Sequence, residues 1–285
     1  MKKIIFMAIA SVILGASPLC GQALRVSYDF YRRHELGGGF HRAPDMMLDY
    51  DGDRAVFYCD AAFYRDSLSW LAFDPAGNVR DDAEYARLLD YSPALNDAVF
   101  IDFSSGRYDV AYNSAPVCVI GQDGKLEMPQ WELTGEESVS KTGYNIKKAE
   151  ADYMGRHWVV WFTEDVPVPA GPWLLWGTPG LVTEAFDSEK TFCFKLLFVQ
   201  EIDNTSRYDE LKHYYNDYNH KKYRYGMKEA ESVRNKLMRD SEFLDKMYGV
   251  GHGPVVIVDK NGKSTVMPTE FPYIPLIPDR YFDNK

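Results

Sequence analysis

After its first residues this chain has no apolar run of the roughly 20 residues that a helix needs to cross a bilayer. It has little basic charge: 32 Lys and Arg stand against 42 Asp and Glu, a formal charge of −10. That balance argues against nucleic acid as a partner and against charge-driven binding to anionic lipid. Histidine is scarce, and its six positions (34, 41, 157, 213, 220 and 252) include no H-E-x-x-H or other metal-ligand spacing. His213 and His220, seven apart, read as surface residues of a polar helix. No G-x-S-x-G elbow supplies a hydrolase nucleophile. The glycines of "GVGHGP" precede a strand, whereas a dinucleotide fingerprint follows one. In "DYDGDRA" Gly52 falls at the fourth place of a would-be calcium loop instead of the sixth. No cofactor and no metal are expected. Acidic residues are plentiful enough to leave a glycosidase pair open, but nothing marks one.

Cysteine is equally sparse. Beyond Cys20 only Cys59, Cys118 and Cys193 remain, an odd number that permits at most one internal bridge. Each lies among apolar neighbours and reads as a small buried hydrophobe. Their spacing suits neither zinc nor a C-x-x-C redox pair.

What is present begins with "MKKIIFMAIASVILGASPLCGQA": two lysines, a short apolar core and small residues, the pattern of an export signal. Gly21 and Ala23 give the small-x-small cut, so residues 1–23 are expected to leave and Leu24 to begin the mature chain; lipidation at Cys20 is the alternative. Without Lys2 and Lys3, 30 basic side chains face 42 acidic ones, a charge near −12. Residues 24–285 contain no linker or repeat and are expected to form a single β-rich domain.

Aromatics make up 15% of the chain, which suits large β-surfaces. Strands are expected over Gly143–Tyr153 and His157–Glu164, turning at "MGR", and on either side of "DSEK". Asp51-Gly52 and Asn261-Gly262 mark two-residue hairpins, the second within a C-terminal hairpin near 253–267. Helical signals are few. "DDAEYARLLDY" (Asp81–Tyr91) begins with a capping aspartate. A long helix near 226–248 carries Met227, Ala230, Val233, Leu237, Met238, Leu244 and Met247 as its stripe, with Ser241 restarting it as a cap. The fold class that follows is mainly β (α+β): a curved antiparallel sheet, open or partly barrel-like, with a long helix late in the chain. "HWVVWF" and "FCFKLLFV" are apolar on both faces, so one face wants the helix and the other a cavity or second layer. Trp158, Phe162, Phe192 and Phe194 are the candidate cavity lining.

"GPWLLWGTPGLVTEAFD", Gly171 to Asp187, is the least ordinary stretch. Pro179-Gly180 fits the centre of a type II turn, with Gly180 taking the positive φ. Trp173 and Trp176, on a strand, would project to opposite faces. Trp173, Trp176, Gly177, Pro179, Gly180 and Leu181 are therefore the candidate binding or structural motif, and no catalytic residue is assigned. Gly177–Val182 resembles the signature of the GLPGLI family, exported proteins of the Bacteroidetes type, with Thr178 and Val182 as the two departures. The likeness extends over Trp131–Asp187 in the order "GY..KKA", "GR.W..WFT", "P...GPW" and signature. Ile146 stands where the family often has cysteine. The family has no established activity; the resemblance implies an exported β-rich protein of the periplasm, outer-membrane surface or extracellular space.

Three functions are carried forward. The first is a non-enzymatic envelope protein that binds an apolar ligand or protein segment in a concave sheet. The second is an accessory partner of an outer-membrane transporter or secretion system. The third is a hydrolase with an unrecognised carboxylate pair.

Overall fold

The computed structural model describes residues 23–33, 39–62, 71–72, 79–84, 97–114, 117–202, 207–217, 221–248, 256–258, 264–266, 273 and 275–283. The export segment before residue 23 and the Asn261-Gly262 turn lie outside the described residues, as does the rest of the Asp81–Tyr91 helix beyond Glu84. At its start, Asp81 does cap: Oδ1 accepts the N–H groups of Ala83 (2.9 Å) and Glu84 (3.1 Å).

Among the described residues eleven strands precede helix α1 (Tyr208–Asp217): β1 (Ala23–Arg33), β2 (Phe40–Tyr50), β3 (Arg54–Cys59), β4 (Asp97–Asp102), β5 (Arg107–Ser114), β6 (Val117–Lys125), β7 (Glu132–Val139), β8 (Asn145–Tyr153), β9 (Arg156–Thr163), β10 (Leu181–Asp187) and β11 (Phe192–Ile202). Helix α1, strand β12 (Lys221–Gly226), helices α2 (Met227–Arg239) and α3 (Ser241–Tyr248), the short strands β13 (Val256–Val258) and β14 (Ser264–Val266), and helix α4 (Arg280–Asp283) follow. Twelve strands form one sheet in the order β12-β6-β5-β4-β3-β2-β1-β11-β10-β9-β8-β7. Every neighbouring pair is antiparallel except β12 with β6. The sheet is open and mainly antiparallel, as expected, with one parallel edge.

Local chemistry explains the hairpins. Met154 (φ 49°) and Gly155 (φ 77°) are successive left-handed residues between β8 and β9, which is what a type I′ turn needs. Gly52 (φ 99°) serves β2–β3. Between β10 and β11, Asp187 Oδ1 accepts the N–H groups of Thr191 (2.6 Å) and Phe192 (2.9 Å), and Oδ2 accepts Arg156 Nη1 at 2.9 Å. Near the C-terminus β13 pairs with β14 from Val256↔Val266 to Val258↔Ser264.

The curvature follows from chain reach. Only residues 126–131 separate β6 from β7, yet β6 is second and β7 last in the sheet order. Ten strand spacings in a flat sheet would be about 48 Å. Seven Cα steps span at most about 25 Å. The sheet must therefore curl until its two ends approach, and indole contacts hold the link: Trp131 Nε1 donates to Trp176 O at 2.8 Å and Trp176 Nε1 to Glu127 O at 3.3 Å.

The inner face of the curl holds the main core, and α2 closes it. Gly121 and Gly124 of β6 allow that approach, because a Cβ at either would come within 2.8 Å of Ala230 Cβ or Met227 Cε. The outer face of β3–β6 is covered by α1, whose Tyr208, Leu211, Tyr214 and Tyr215 pack on Val56, Phe100, Ala111 and Ile120. The expected helix over 226–248 is two helices. Asp240 leaves helical geometry (φ −126°, ψ 104°), and its Oδ1 accepts the Phe243 N–H at 2.9 Å, so Asp240 rather than Ser241 is the cap. Cys59 and Cys118 are buried and Cys193 is half-buried, and no disulfide joins any two of the three.

Candidate functional site

The Gly171–Leu181 segment is irregular backbone leading into β10, and its glycines do other work than expected. The positive φ falls at Gly177 (86°) and at Trp173 (55°), not at Gly180. Gly180 is required by contact: a Cβ there would lie 1.9 Å from the Thr163 carbonyl oxygen. Gly171 is equally confined, with Leu175 O at 2.3 Å from such an atom. Thr178 Oγ1 donates to Gly180 O at 2.6 Å, and Leu181 N–H to Val166 O at 3.0 Å. Pro179 thus precedes a tightly packed glycine rather than centring a type II turn.

Trp173 and Trp176 do not alternate across a strand. Trp173 is buried, its ring 5.7 Å from that of Trp158 and 6.4 Å from that of Tyr153. Trp176 is half-buried against Phe103 at 5.2 Å. A bulky residue at φ 55° is uncommon and signals strain that its surroundings enforce.

Trp173 faces a cluster that sequence inspection did not single out. It lines a cavity of about 10 Å³ together with Asp97 of β4, Tyr112 of β5, Glu231 and Arg234 of α2, and Leu276 and Ile277. Arg234 Nη2 donates to Asp97 Oδ2, and Tyr112 OH donates to Glu231 Oε1. The Arg234 guanidinium lies 4.8 Å from the Tyr112 ring centre and 5.2 Å from that of Tyr273. Asn235 Nδ2 donates to Asp279 Oδ1 at 2.7 Å, and Arg239 Nη1 to Asp279 Oδ2 at 2.6 Å. Burial pushes the Glu231 carboxyl up to about 8 against the opposing charge of Arg234. Burial also raises Asp97, again opposed by Arg234. The two carboxyls have the perturbed acidity of an acid–base pair. Their cavity, however, is the size of one water and admits no substrate, so the cluster fastens α2 to the sheet. Its only sequence signal is that Glu231, Arg234 and Asn235 share a helix with Ala230 and Leu237 at core spacing.

The expected cavity lining is solid core. Trp158, Phe162, Phe192 and Phe194 are at most 1% exposed. Phe194 stacks on Phe30 at 4.9 Å and meets Phe57 edge-on at 5.9 Å, while Arg156 covers the Phe192 ring at 4.7 Å. The physical reason is that the inward curl, α2 and residues 275–277 fill the concavity. Arg156 ties those residues down by donating to Leu276 O (2.8 Å) and Pro275 O (2.6 Å).

Open space lies on the other face. "FCFKLLFV" does carry apolar residues outward, and among the described residues no helix covers them: Leu197 and Phe198 are 40% and 45% exposed. A groove of about 300 Å³ is lined by Tyr31, Phe40, Glu184, Phe186, Lys190, Cys193 and Lys195. Lys190 Nζ sits 5.7 Å from the Phe186 ring centre, Lys195 Nζ 5.9 Å from that of Tyr31, and Lys195 approaches Glu184 at 3.6 Å. Burial pushes the Cys193 thiol up to about 11.

Fold and site together define a class: an open, strongly curled, mainly antiparallel sheet whose concave side is sealed by a helix and a buried polar cluster. Comparison with known proteins goes little further. No family model and no curated protein matches the chain. Among solved structures, PNGF-II in a P21 crystal form is similar at 15% identity over 72% of this chain and 32% of that one, with a TM-score of 0.46. Its C2 form gives 13% identity over 84% and 35%, with a TM-score of 0.48. The chain spans about a third of the length of those structures.

Proposed function

We propose that this is an exported, GLPGLI-like binding protein of the cell envelope whose ligand site is the outer groove over β1, β10 and β11. The supporting observation is the placing of two ammonium groups, Lys190 and Lys195, beside the aromatic rings of Phe186 and Tyr31 in a groove of about 300 Å³. That volume is at the lower end of small-ligand sites. An apolar body with one acidic group, such as a fatty carboxylate, matches the walls and the charge. The concave interior is filled and offers an apolar ligand no comparable room.

Native mass spectrometry of protein purified from its own host, followed by titration with dodecanoate, tests the assignment. Added mass or saturable binding, weakened by Lys190→Glu with Lys195→Glu, supports it. Dodecanoate occupancy should also slow alkylation of Cys193, a thiol that already reacts slowly at neutral pH because so little is thiolate. Absence of added mass, of saturable binding and of thiol protection refutes it. Exposed Leu197 and Phe198 on β11 favour one second role, docking to an outer-membrane transporter or secretion partner. A hydrolase finds less support, because Asp97 and Glu231 face a space for a single water.

A further inference from the structure

We propose that the groove along the polar flank of α2 is a second binding site, which takes a small phosphate ester. The groove holds about 340 Å³ and is lined by Lys228, Glu231, Ser232, Asn235, Lys236 and Arg239 of α2 and by Asp279 and Phe282. The six helical positions recur every three or four residues and so form one stripe. The charges do not cancel. Lys228, Lys236 and Arg239 are positive, Asp279 is negative, and Glu231 is neutral at pH 7 because burial holds its carboxyl near 8. A local excess of two positive charges on a chain of net charge −10 is unusual and selects anions.

The cations are also incompletely satisfied. Arg239 is paired with Asp279 at 2.6 Å. Lys228 Nζ donates to a neutral partner, the Phe282 carbonyl, at 2.8 Å. Lys236 Nζ lies 4.4 Å from the Phe243 ring centre. Neither lysine has a carboxylate within ion-pair distance among the described residues. Asn235 is 3% exposed, and its Oδ1 has no hydrogen-bond partner among the described residues. A ligand with an anionic group for the two lysines and a hydroxyl donor for the Asn235 acceptor answers both deficits, and a hydroxylated phosphate ester carries both.

The same head group is offered by a free metabolite and by a phosphorylated lipid, so the test uses two probes. Glycerol 3-phosphate is titrated calorimetrically at pH 7 and low salt, with chloride at matched ionic strength as the control. Saturable binding beyond the control is expected, weakened about tenfold by Lys228→Ala and again by Lys236→Ala, the scale of one lost charge-assisted contact. Lys195→Glu, in the outer groove, should leave it unchanged, which separates failure of this site from failure of the other. Phosphatidylglycerol vesicles form the second arm. Co-sedimentation that glycerol 3-phosphate competes away assigns a lipid source, and binding of the soluble ester without co-sedimentation assigns a free one. No saturable heat above the chloride control, or equal affinity in wild type and both lysine variants, overturns the proposal.

Discussion

Glu231→Gln is the most informative single change, because it removes one ionisable proton and almost nothing else. Glutamine keeps the Oε1 acceptor that receives the Tyr112 hydroxyl and matches the volume of the carboxylic acid. In the unfolded chain the glutamate titrates at 4.5; in the fold burial holds it near 8. Between those values the unfolded state is ionised and the folded state retains the proton. Native protein then binds more protons than unfolded protein, and stability falls as pH rises. The contribution is fully present below pH 4.5 and is lost as pH passes about 8, at close to 1.4 kcal/mol per pH unit within the window. Urea unfolding of both proteins at half-unit steps from pH 5 to 8 measures it. The glutamine variant should gain on wild type by roughly 2–3 kcal/mol between pH 5.5 and 7.5. Asp97 and His157 are also raised in the fold and make stability fall with pH, but they are present in both proteins and largely cancel in the difference. A flat difference curve refutes the neutral glutamic acid and would mean that Glu231 is ionised against Arg234.

Two stability predictions accompany it. Gly180→Ala should cost at least about 3 kcal/mol or prevent folding, since its Cβ meets the Thr163 backbone carbonyl, which cannot swing aside; a melt within a few degrees of wild type would refute the contact. Trp173→Ala should cost about 3–5 kcal/mol through loss of buried packing on Trp158, and Trp176→Ala less, about 2 kcal/mol, because the ring is half-buried and gives up one hydrogen bond to Glu127 O. Equal costs in urea unfolding would contradict that ranking.

The parts of the fold legible in the sequence are those with local causes. Gly52 and Gly155 announce their hairpins because a two-residue turn requires left-handed backbone, which glycine supplies, although the pairing of Asp51 with Arg54 centres the first turn on Gly52-Asp53 rather than on Asp51-Gly52. The apolar strand pairs around "DSEK" announce β10 and β11. The less legible parts depend on residues far apart in the chain. Asp97 and Arg234 are separated by 137 positions, and neither belongs to a motif. The break at Asp240 hides among two adjacent cap-forming residues, Asp240 and Ser241, either of which suits a helix start. Two-sided apolarity in β9 and β11 asks for cover on both faces, but alternation cannot say which face receives a helix, and on β11 the outer residues Leu197 and Phe198 stay 40% and 45% exposed. The six-residue link from β6 to β7 encodes the curl only once both strands have been placed in the sheet. The signature's glycines were legible as necessary, while the cause at Gly180, a carbonyl 1.9 Å from its missing Cβ, belongs to the neighbouring strand β9.

The same long-range contacts explain why the proposed binding role is assigned to the outside of the curl. A concave sheet is a ligand pocket only if its closure costs little to open. Here closure involves the Asp97–Arg234 ion pair, the neutral Glu231 under Tyr112, and the Arg156 bonds to Pro275 and Leu276. Opening it would strand buried charges: breaking a buried pair by separating one partner costs on the order of 3–5 kcal/mol. A ligand would have to exceed that cost in addition to displacing rings already packed at 4.9–6.4 Å. Trp173 carries backbone strain of about 1–3 kcal/mol at φ 55°, and it wedges between Trp158 and the polar cluster, so the "GPW" turn and the α2 latch support one another. Neither the outer groove beside Lys190 and Lys195 nor the flank of α2 requires any of these contacts to break, so a ligand at either face is spared the cost of opening the core and meets only the ordinary costs of association.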